Sequence, residues 1–312
     1  MSDRPIDPDE RRPVGPGEIV SPVERRPVGP GGNGSPGDGR PVRKDETELP
    51  ERGLYVESWL PERRSRRRPL VLVHGELAGS WVWERYLRFF AGRGWEGHAL
   101  NLRNHYWSAT ADPQALSFGT YLDDTVAALE RIGPNAVAVG HGTGGLLVLK
   151  AAAERVGVAG LVLLDAELPA GLRTPARAHE LRDIPPAYGR DFLGWETLPE
   201  KLQRENRDLT LDDVLRIQHL LGQRPRESGR ARAEILAGIR VEPVLLDGVP
   251  VLVIGSGIDG SDSALASERL ADWLGAEHEV FGAHSHYGLV VGEESFRQVA
   301  ERVRVFLEAH RI

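Results

Sequence analysis

The stretch Ala136–Lys150, AVAVGHGTGGLLVLK, decides how the rest of the chain is read. A short apolar run, of the kind buried parallel strands carry, meets Gly140-His141-Gly142-Thr143-Gly144-Gly145, and apolar residues at helical spacing follow. When a strand turns sharply into a helix through the pattern G-x-S-x-G, the turn presents its central side chain as a nucleophile. Here the central position is Gly142, which has no side chain to present, and its neighbour Thr143 is expected to point elsewhere. The glycines do not suit a phosphate loop: the lysine and spacing of a P-loop are missing and G-x-G-x-x-G is incomplete.

The same alternation runs outward in both directions. Upstream, LYVESWL, LVLVHG and GHALNL read as strands, while SWVWERYLRFFAGRG and SFGTYLDDTVAALERIG read as helices ended by glycine. Downstream, VAGLVLLD is a strand. After a long interval come VPVLVIGSG (strand), SALASERLADWLG (helix), EHEVFG (short strand) and the closing amphipathic helix EESFRQVAERVRVFLEAH. Strands alternating with helices predict an α/β fold, a doubly wound and mostly parallel sheet covered on both faces. Its core is expected over residues 52–165 and 248–312. Between them, residues 166–247 are polar and helix-leaning, and an insertion there is expected to cap the C-terminal edge of the sheet, where ligands bind in open α/β folds.

Residues 1–48 have a different texture, rich in Pro, Gly and charge. ERRPVGPG occurs at residues 10–17 and 24–31, RPV returns at residues 40–42, and all three copies keep a spacing of 14. Such a segment buries too little apolar area to offset its ordering entropy, so a disordered tail is expected, either a solvated leader or a multivalent docking motif. The chain has 312 residues, 40% of them hydrophobic, and a net charge of −7 with acidic and basic residues mixed. No nucleic-acid partner is expected from that balance. The absence of cysteine excludes disulfides, thiolate metal sites and a cysteine nucleophile. No H-E-x-x-H spacing occurs, so neither a metal nor a cofactor is expected. Neither a signal core nor a membrane-length apolar run is found, and a cytoplasmic protein is the expectation.

Four landmarks in register, LVHGELAGSWVWE, LNLRNHYWS, VGHGTGG and the pair GSGIDGSD and GAHSHYG, make the chain resemble the α/β-hydrolase fold superfamily. HGELAGSWVW and LVLLDAELP are similar to the esterase and hydroxynitrile-lyase-like branch. The resemblance implies that His286 is the catalytic histidine, with His284 as a rival two positions away. It implies that Asp259 orients that histidine, while Asp165 sits where some members place an alternative acid. The backbone amides after His74, at Glu76, and around Thr143 match an oxyanion hole.

The departures carry as much information. Gly142 excludes an acyl-enzyme on that residue. The Glu76 carboxyl either turns out to solvent or, with its pKa raised by desolvation, acts as a proton donor. The loop often written D-x-R-G-H-G-x-S appears here as residues 101–108, NLRNHYWS, with Asn104 and Tyr106 either touching a ligand or rebuilding the turn. Trp81, Trp83, Trp107 and Trp195 are expected around the pocket with His141, favouring an aromatic, apolar small molecule. The expected function is cofactor-independent acid–base chemistry by a His–Asp dyad, of lyase, isomerase or cyclase type, on a polyketide-like intermediate of secondary metabolism. The alternatives are a binding protein without catalysis, hydrolysis by His-activated water, and a serine replaced by glycine to inactivate the enzyme.

Overall fold

The computed structural model describes residues 42–63, 65–133, 135–223, 226–258 and 261–312. Among them an eight-stranded sheet runs in the order β1-β2-β4-β3-β5-β6-β9-β10, built from β1 (Val42–Leu49), β2 (Leu54–Pro61), β3 (Leu70–Val73), β4 (Gly97–Asn101), β5 (Val137–His141), β6 (Gly160–Leu164), β9 (Val251–Ser256) and β10 (Glu277–Phe281). β1 and β2 are antiparallel to their neighbours, and the rest of the sheet is parallel.

The continuous apolar runs are explained by burial on both faces. Within β3, Val71 and Val73 pack under α2 (Phe118–Ile132) and α3 (Thr143–Glu154), while Leu70 and Leu72 pack under α1 (Glu84–Ala91) and α10 (Ser295–Ala309). Alternate residues of one strand thus belong to opposite layers, which is why no polar position interrupts the run. Helix α2 is set by Ser117, whose hydroxyl accepts from the Thr120 amide in a capping box.

Between β6 and β9 the chain makes α4 (Ala178–Arg182), β7 (Ala187–Tyr188), α5 (Pro199–Glu205), α6 (Leu211–Gln223), β8 (Glu227–Ser228) and α7 (Gly229–Ala237). Part of this excursion has its own apolar centre, where Trp195, Leu202, Val214, Ile217 and Leu221 close on Leu77 and Tyr287 of the sheet's loops. β7 and β8 pair antiparallel as a two-stranded ribbon. The helical expectation did not include this ribbon, because two-residue strands carry no periodicity.

One boundary is corrected. Residues 42–48 fall in the expected tail, yet Val42–Leu49 pairs along its whole length with β2. Most of this strand is exposed, and backbone hydrogen bonding rather than apolar burial holds it, leaving little hydrophobic signal to read. The repeat at residues 10–17 and 24–31 lies outside the described residues.

Candidate active site

The C-terminal ends of β3, β5 and β6 converge with the loop after β10 on a cavity of about 460 Å³. Its wall includes Gly75 and Glu76 after β3, Gly142 and Thr143 after β5, Asp165 after β6, and His286.

The elbow is built without its side chain. Gly142 has φ +56° and ψ −123°, a conformation that L side chains rarely adopt, and α3 starts at the next residue. The flanking glycines are demanded by crowding: a Cβ on Gly144 would run into the carbonyl oxygens of Val73 and His74. Gly142 differs, because a Cβ there would meet only ordinary contacts, 3.4 Å from both Cε1 and Nε2 of His286 and 3.8 Å from Gly75 Cα. The backbone therefore aims at His286 as though a side chain were present.

His286 Nδ1–H donates to Asp165 Oδ2 at 3.0 Å, which leaves Nε2 as the basic atom of the neutral ring. Asp165 is nearly fully buried and has φ +44°, which turns its side chain off the end of β6. Its other oxygen accepts from the Ser256 amide at 2.7 Å and from the Ser263 hydroxyl at 2.9 Å. Burial opposes ionisation, but the hydrogen bond and charge of His286 together with Ser256 outweigh it and hold the carboxyl well below the usual carboxylate range. The His286 loop is tied to the excursion by Asp208, which accepts from the Ser285 amide at 3.0 Å and hydroxyl at 2.7 Å.

Asp259, the expected acid, lies outside the described residues. Among the described residues, the carboxylate on His286 Nδ1 is that of Asp165, the alternative position. His284 is not on the cavity wall: it is buried against Phe281 with ring centroids 5.1 Å apart.

Glu76 does not turn out to solvent. Its Oε1 accepts from the Tyr188 hydroxyl at 2.9 Å and from Arg232 Nη1 at 3.0 Å. Burial pushes its pKa up to about 7 despite the opposing charge of Arg232, with Glu227 and Glu167 adding to the rise. Behind it, Glu227 on β8 accepts from the Leu77 amide at 2.7 Å, from His105 Nε2 at 2.8 Å and from the Tyr121 hydroxyl at 3.1 Å. His105 Nδ1 lies 3.0 Å from the Arg103 carbonyl, so both ring nitrogens face acceptors, an arrangement that favours the imidazolium. Burial disfavours that charge, but Glu227 raises the His105 pKa; reciprocally, burial resists ionisation of Glu227 and His105 brings it down to about 2. This ion pair anchors the turn at Leu77, where φ is +55°, and so places the Glu76 amide.

His141 donates from Nε2 to the His286 carbonyl at 3.0 Å, and burial followed by the nearby His286 keeps its pKa well below normal. It lines the cavity as a neutral ring. His74 sits behind the wall, donating from Nδ1 to the Gly75 carbonyl at 2.8 Å and accepting the Leu102 amide at Nε2 at 3.2 Å. Asn104 and Tyr106 rebuild their loop, each with positive φ. Asn104 Oδ1 accepts the Ala111 amide at 2.6 Å, and the Tyr106 hydroxyl donates to the Leu220 carbonyl at 2.9 Å; neither residue lines the cavity.

Of the tryptophans, Trp195 reaches the cavity. Trp107 is 69% exposed, Trp83 is buried in the layer under α1, and Trp81 packs at the edge of that layer. The short turn preceding α1 directs Trp83 down into the core, while Trp81 sits half-buried between that layer and the apolar centre of the excursion, off the cavity wall. Arg173, Arg232 and Glu167 take much of the wall expected to be aromatic. The sequence reading missed these three and Tyr188, which lie in the excursion or just before it and belong to no motif.

A sequence profile of the alpha/beta hydrolase family matches residues 70–302. The chain belongs to that family. Comparison with curated protein sequences yields no match. Among solved structures, this alpha/beta hydrolase family member is similar to a carboxylesterase of the ammonia-oxidizing thaumarchaeon Nitrososphaera gargenis, with 15% identity, a TM-score of 0.63, and 86% of this chain and 99% of that one covered. A bromoperoxidase from Bacillus anthracis has 14% identity and a TM-score of 0.63, over 85% of this chain and 100% of that one. A thioesterase domain from the curacin biosynthetic pathway has 17% identity and a TM-score of 0.57, over 86% and 99%. At such identities the likeness concerns the fold alone. Among the described residues, no helix of this family member is long and apolar enough to cross a membrane, and no group of His, Asp and Glu is arranged to hold a metal ion.

Proposed function

We propose that this alpha/beta hydrolase family member is a cofactor-independent acid–base enzyme that turns over without an acyl-enzyme. His286 Nε2, with Asp165 fixing its tautomer, takes a proton from a substrate group seated over Gly142. The amides of Glu76 and Thr143 face the charge that then develops on oxygen. Thr143 opens α3, so its N–H has no intrahelical acceptor and lies at the positive end of the helix. Glu76, with its proton affinity raised toward neutrality, returns the proton. This division of labour suits addition, elimination or isomerisation next to a carbonyl. The substrate is a small molecule with polar groups, since charged side chains share the wall with Trp195 and Leu193.

The observation that carries this reading is the 3.4 Å between the vacant Cβ position of Gly142 and His286 Nε2. Every other part of the elbow is kept, and the atom that would form the ester is missing. The same vacancy supports a second reading, in which a water lodged there is the nucleophile and the reaction is direct hydrolysis.

Carbonyl compounds and activated esters incubated in deuterated solvent separate the readings. Deuterium exchange beside the carbonyl that is lost in His286→Ala and Asp165→Asn supports proton transfer from substrate. Ester turnover lost in the same variants, with no protein adduct by mass spectrometry, supports the water route. Turnover unchanged in His286→Ala overturns both.

A further inference from the structure

Arg173 and Arg232 share the cavity with His286 and Gly142, and the chemistry above gives them no part. Both are pinned through Nη1. Arg232 Nη1 donates to Glu76 Oε1 at 3.0 Å and to Glu167 Oε1 at 2.9 Å. Arg173 Nη1 donates to the Ile235 carbonyl at 2.9 Å and to Glu167 Oε2 at 3.3 Å. Nε of each is buried, and neither Nε nor Nη2 has a protein acceptor among the described residues. Two oriented guanidinium groups thus line a polar cavity with their Nη2 donors uncommitted. The atoms buried without an acceptor are the two Nε groups, whereas the Nη2 groups are not buried, and a planar anion in the cavity is the ligand that meets two such fork-shaped donors.

We propose that the substrate carries a single carboxylate, received by the Nη2 groups of Arg173 and Arg232 in the cavity it shares with His286. As a statement about substrate it rests on the function proposed above; as a statement about binding it stands alone. With Glu76 and Glu167 both ionised, the two arginines are already balanced. An incoming carboxylate competes for Arg232, weakening its hold on Glu76, and adds a like charge beside it. Glu76 then takes a proton from solvent. The other groups facing Glu76 do not prevent this: Glu227 from β8 and Glu167 after β6 both favour the protonated form, and the Tyr188 hydroxyl on β7 is neutral. Protonation releases one positive charge, which matches a monoanion and not a phosphate dianion. Binding the substrate would therefore also load the proton that Glu76 returns.

The test is calorimetric titration of the full chain with a set of short aliphatic and aromatic monocarboxylates, their uncharged amides, and inorganic phosphate. Each titration is repeated in buffers of different ionisation enthalpy. At least one carboxylate is expected to bind about tenfold or more tightly than its amide and than phosphate. It should take up about one proton above pH 7, with affinity falling about tenfold per pH unit while that uptake lasts. Below pH 7 the uptake should fade, because Glu76 is already protonated. Glu76→Gln should keep binding and lose the uptake, whereas Arg232→Gln and Arg173→Gln should each weaken binding about tenfold. Binding is read here without turnover, so loss of the catalytic reading leaves this one intact. Amides or phosphate binding as well as every carboxylate, or carboxylate binding without proton uptake above pH 7, overturns the proposal.

Discussion

Restoring a side chain at the elbow separates the cost of the backbone from the chemistry it serves. Gly142 holds φ +56° and ψ −123°, where a Cβ is strained even though nothing lies closer to it than 3.4 Å. Gly142→Ala should therefore destabilise the fold by about 1–3 kcal/mol of backbone strain. About 0.4–1 kcal/mol of that is offset because the unfolded chain loses freedom when glycine is replaced. The net loss expected is about 0–2.5 kcal/mol, read as a shift in the midpoint of urea unfolding with an unchanged slope. Gly142→Ser should cost the same, and its hydroxyl, one bond beyond the Cβ position, falls within about 2.6–3.2 Å of His286 Nε2. That variant should form an acyl adduct with p-nitrophenyl acetate, seen as a burst of nitrophenol and as added mass on the peptide carrying residue 142. Native protein should show neither. A stability loss above about 4 kcal/mol would mean the site has no room for a side chain. A well-folded Gly142→Ser that forms no adduct would mean that His286 and the two amides are not arranged for proton transfer at that position, and the acid–base proposal would go with it.

Other consequences are equally direct. Asp165→Asn should leave the fold assembled but lower turnover by about 10³–10⁴, because the amide no longer selects the Nδ1–H tautomer; an unchanged histidine NMR titration would refute the pairing. The native Asp165 pKa is depressed, so its share of stability is present above about pH 4, the unfolded carboxylate range, and is lost as pH falls toward the native value; acid titration of the native protein against Asp165→Asn measures that share. Glu227→Ala strands the buried His105 imidazolium and should cost about 3–5 kcal/mol in urea unfolding, while a loss below 1 kcal/mol would show that the pair is not ionised. Trp107→Ala should change stability by less than about 0.5 kcal/mol and leave carboxylate affinity untouched, since that side chain is 69% exposed and off the cavity. Trp195→Ala should lower both, because its ring packs against Tyr287 at 4.9 Å between centroids and forms part of the wall.

The parallel sheet was legible because its signals are local. The runs LVLV, VAVG, GLVLL and VLVIG are apolar throughout for one physical reason, burial on both faces, and the glycine-rich turn after β5 announces itself in consecutive residues. The edge strand β1 escaped notice because backbone pairing with β2 holds it and its side chains stay in solvent. The ribbon of β7 and β8 escaped for want of length. The histidine was also legible, since His286 lies just before the closing elements and is followed by an aromatic. Choosing between His284 and His286 was a matter of loop geometry, and the structure puts only His286 on the cavity wall.

The composition of the pocket was not legible at all. Four tryptophans near the right loops suggested an aromatic wall, but whether a side chain faces the cavity depends on the rotation of a short turn and on how the excursion folds back. Arg232 and Tyr188 meet Glu76 across as many as 156 residues of chain, and Glu167 links Arg232 to Arg173, through contacts that no short window of sequence contains. By itself the sequence determined the sheet, the elbow and the missing side chain at its centre, because each depends on neighbouring residues and on what glycine lacks. Tertiary structure alone brought the Asp165 carboxylate to His286 and charged side chains to the wall, because those outcomes depend on distances between strand ends and the segment folded over them.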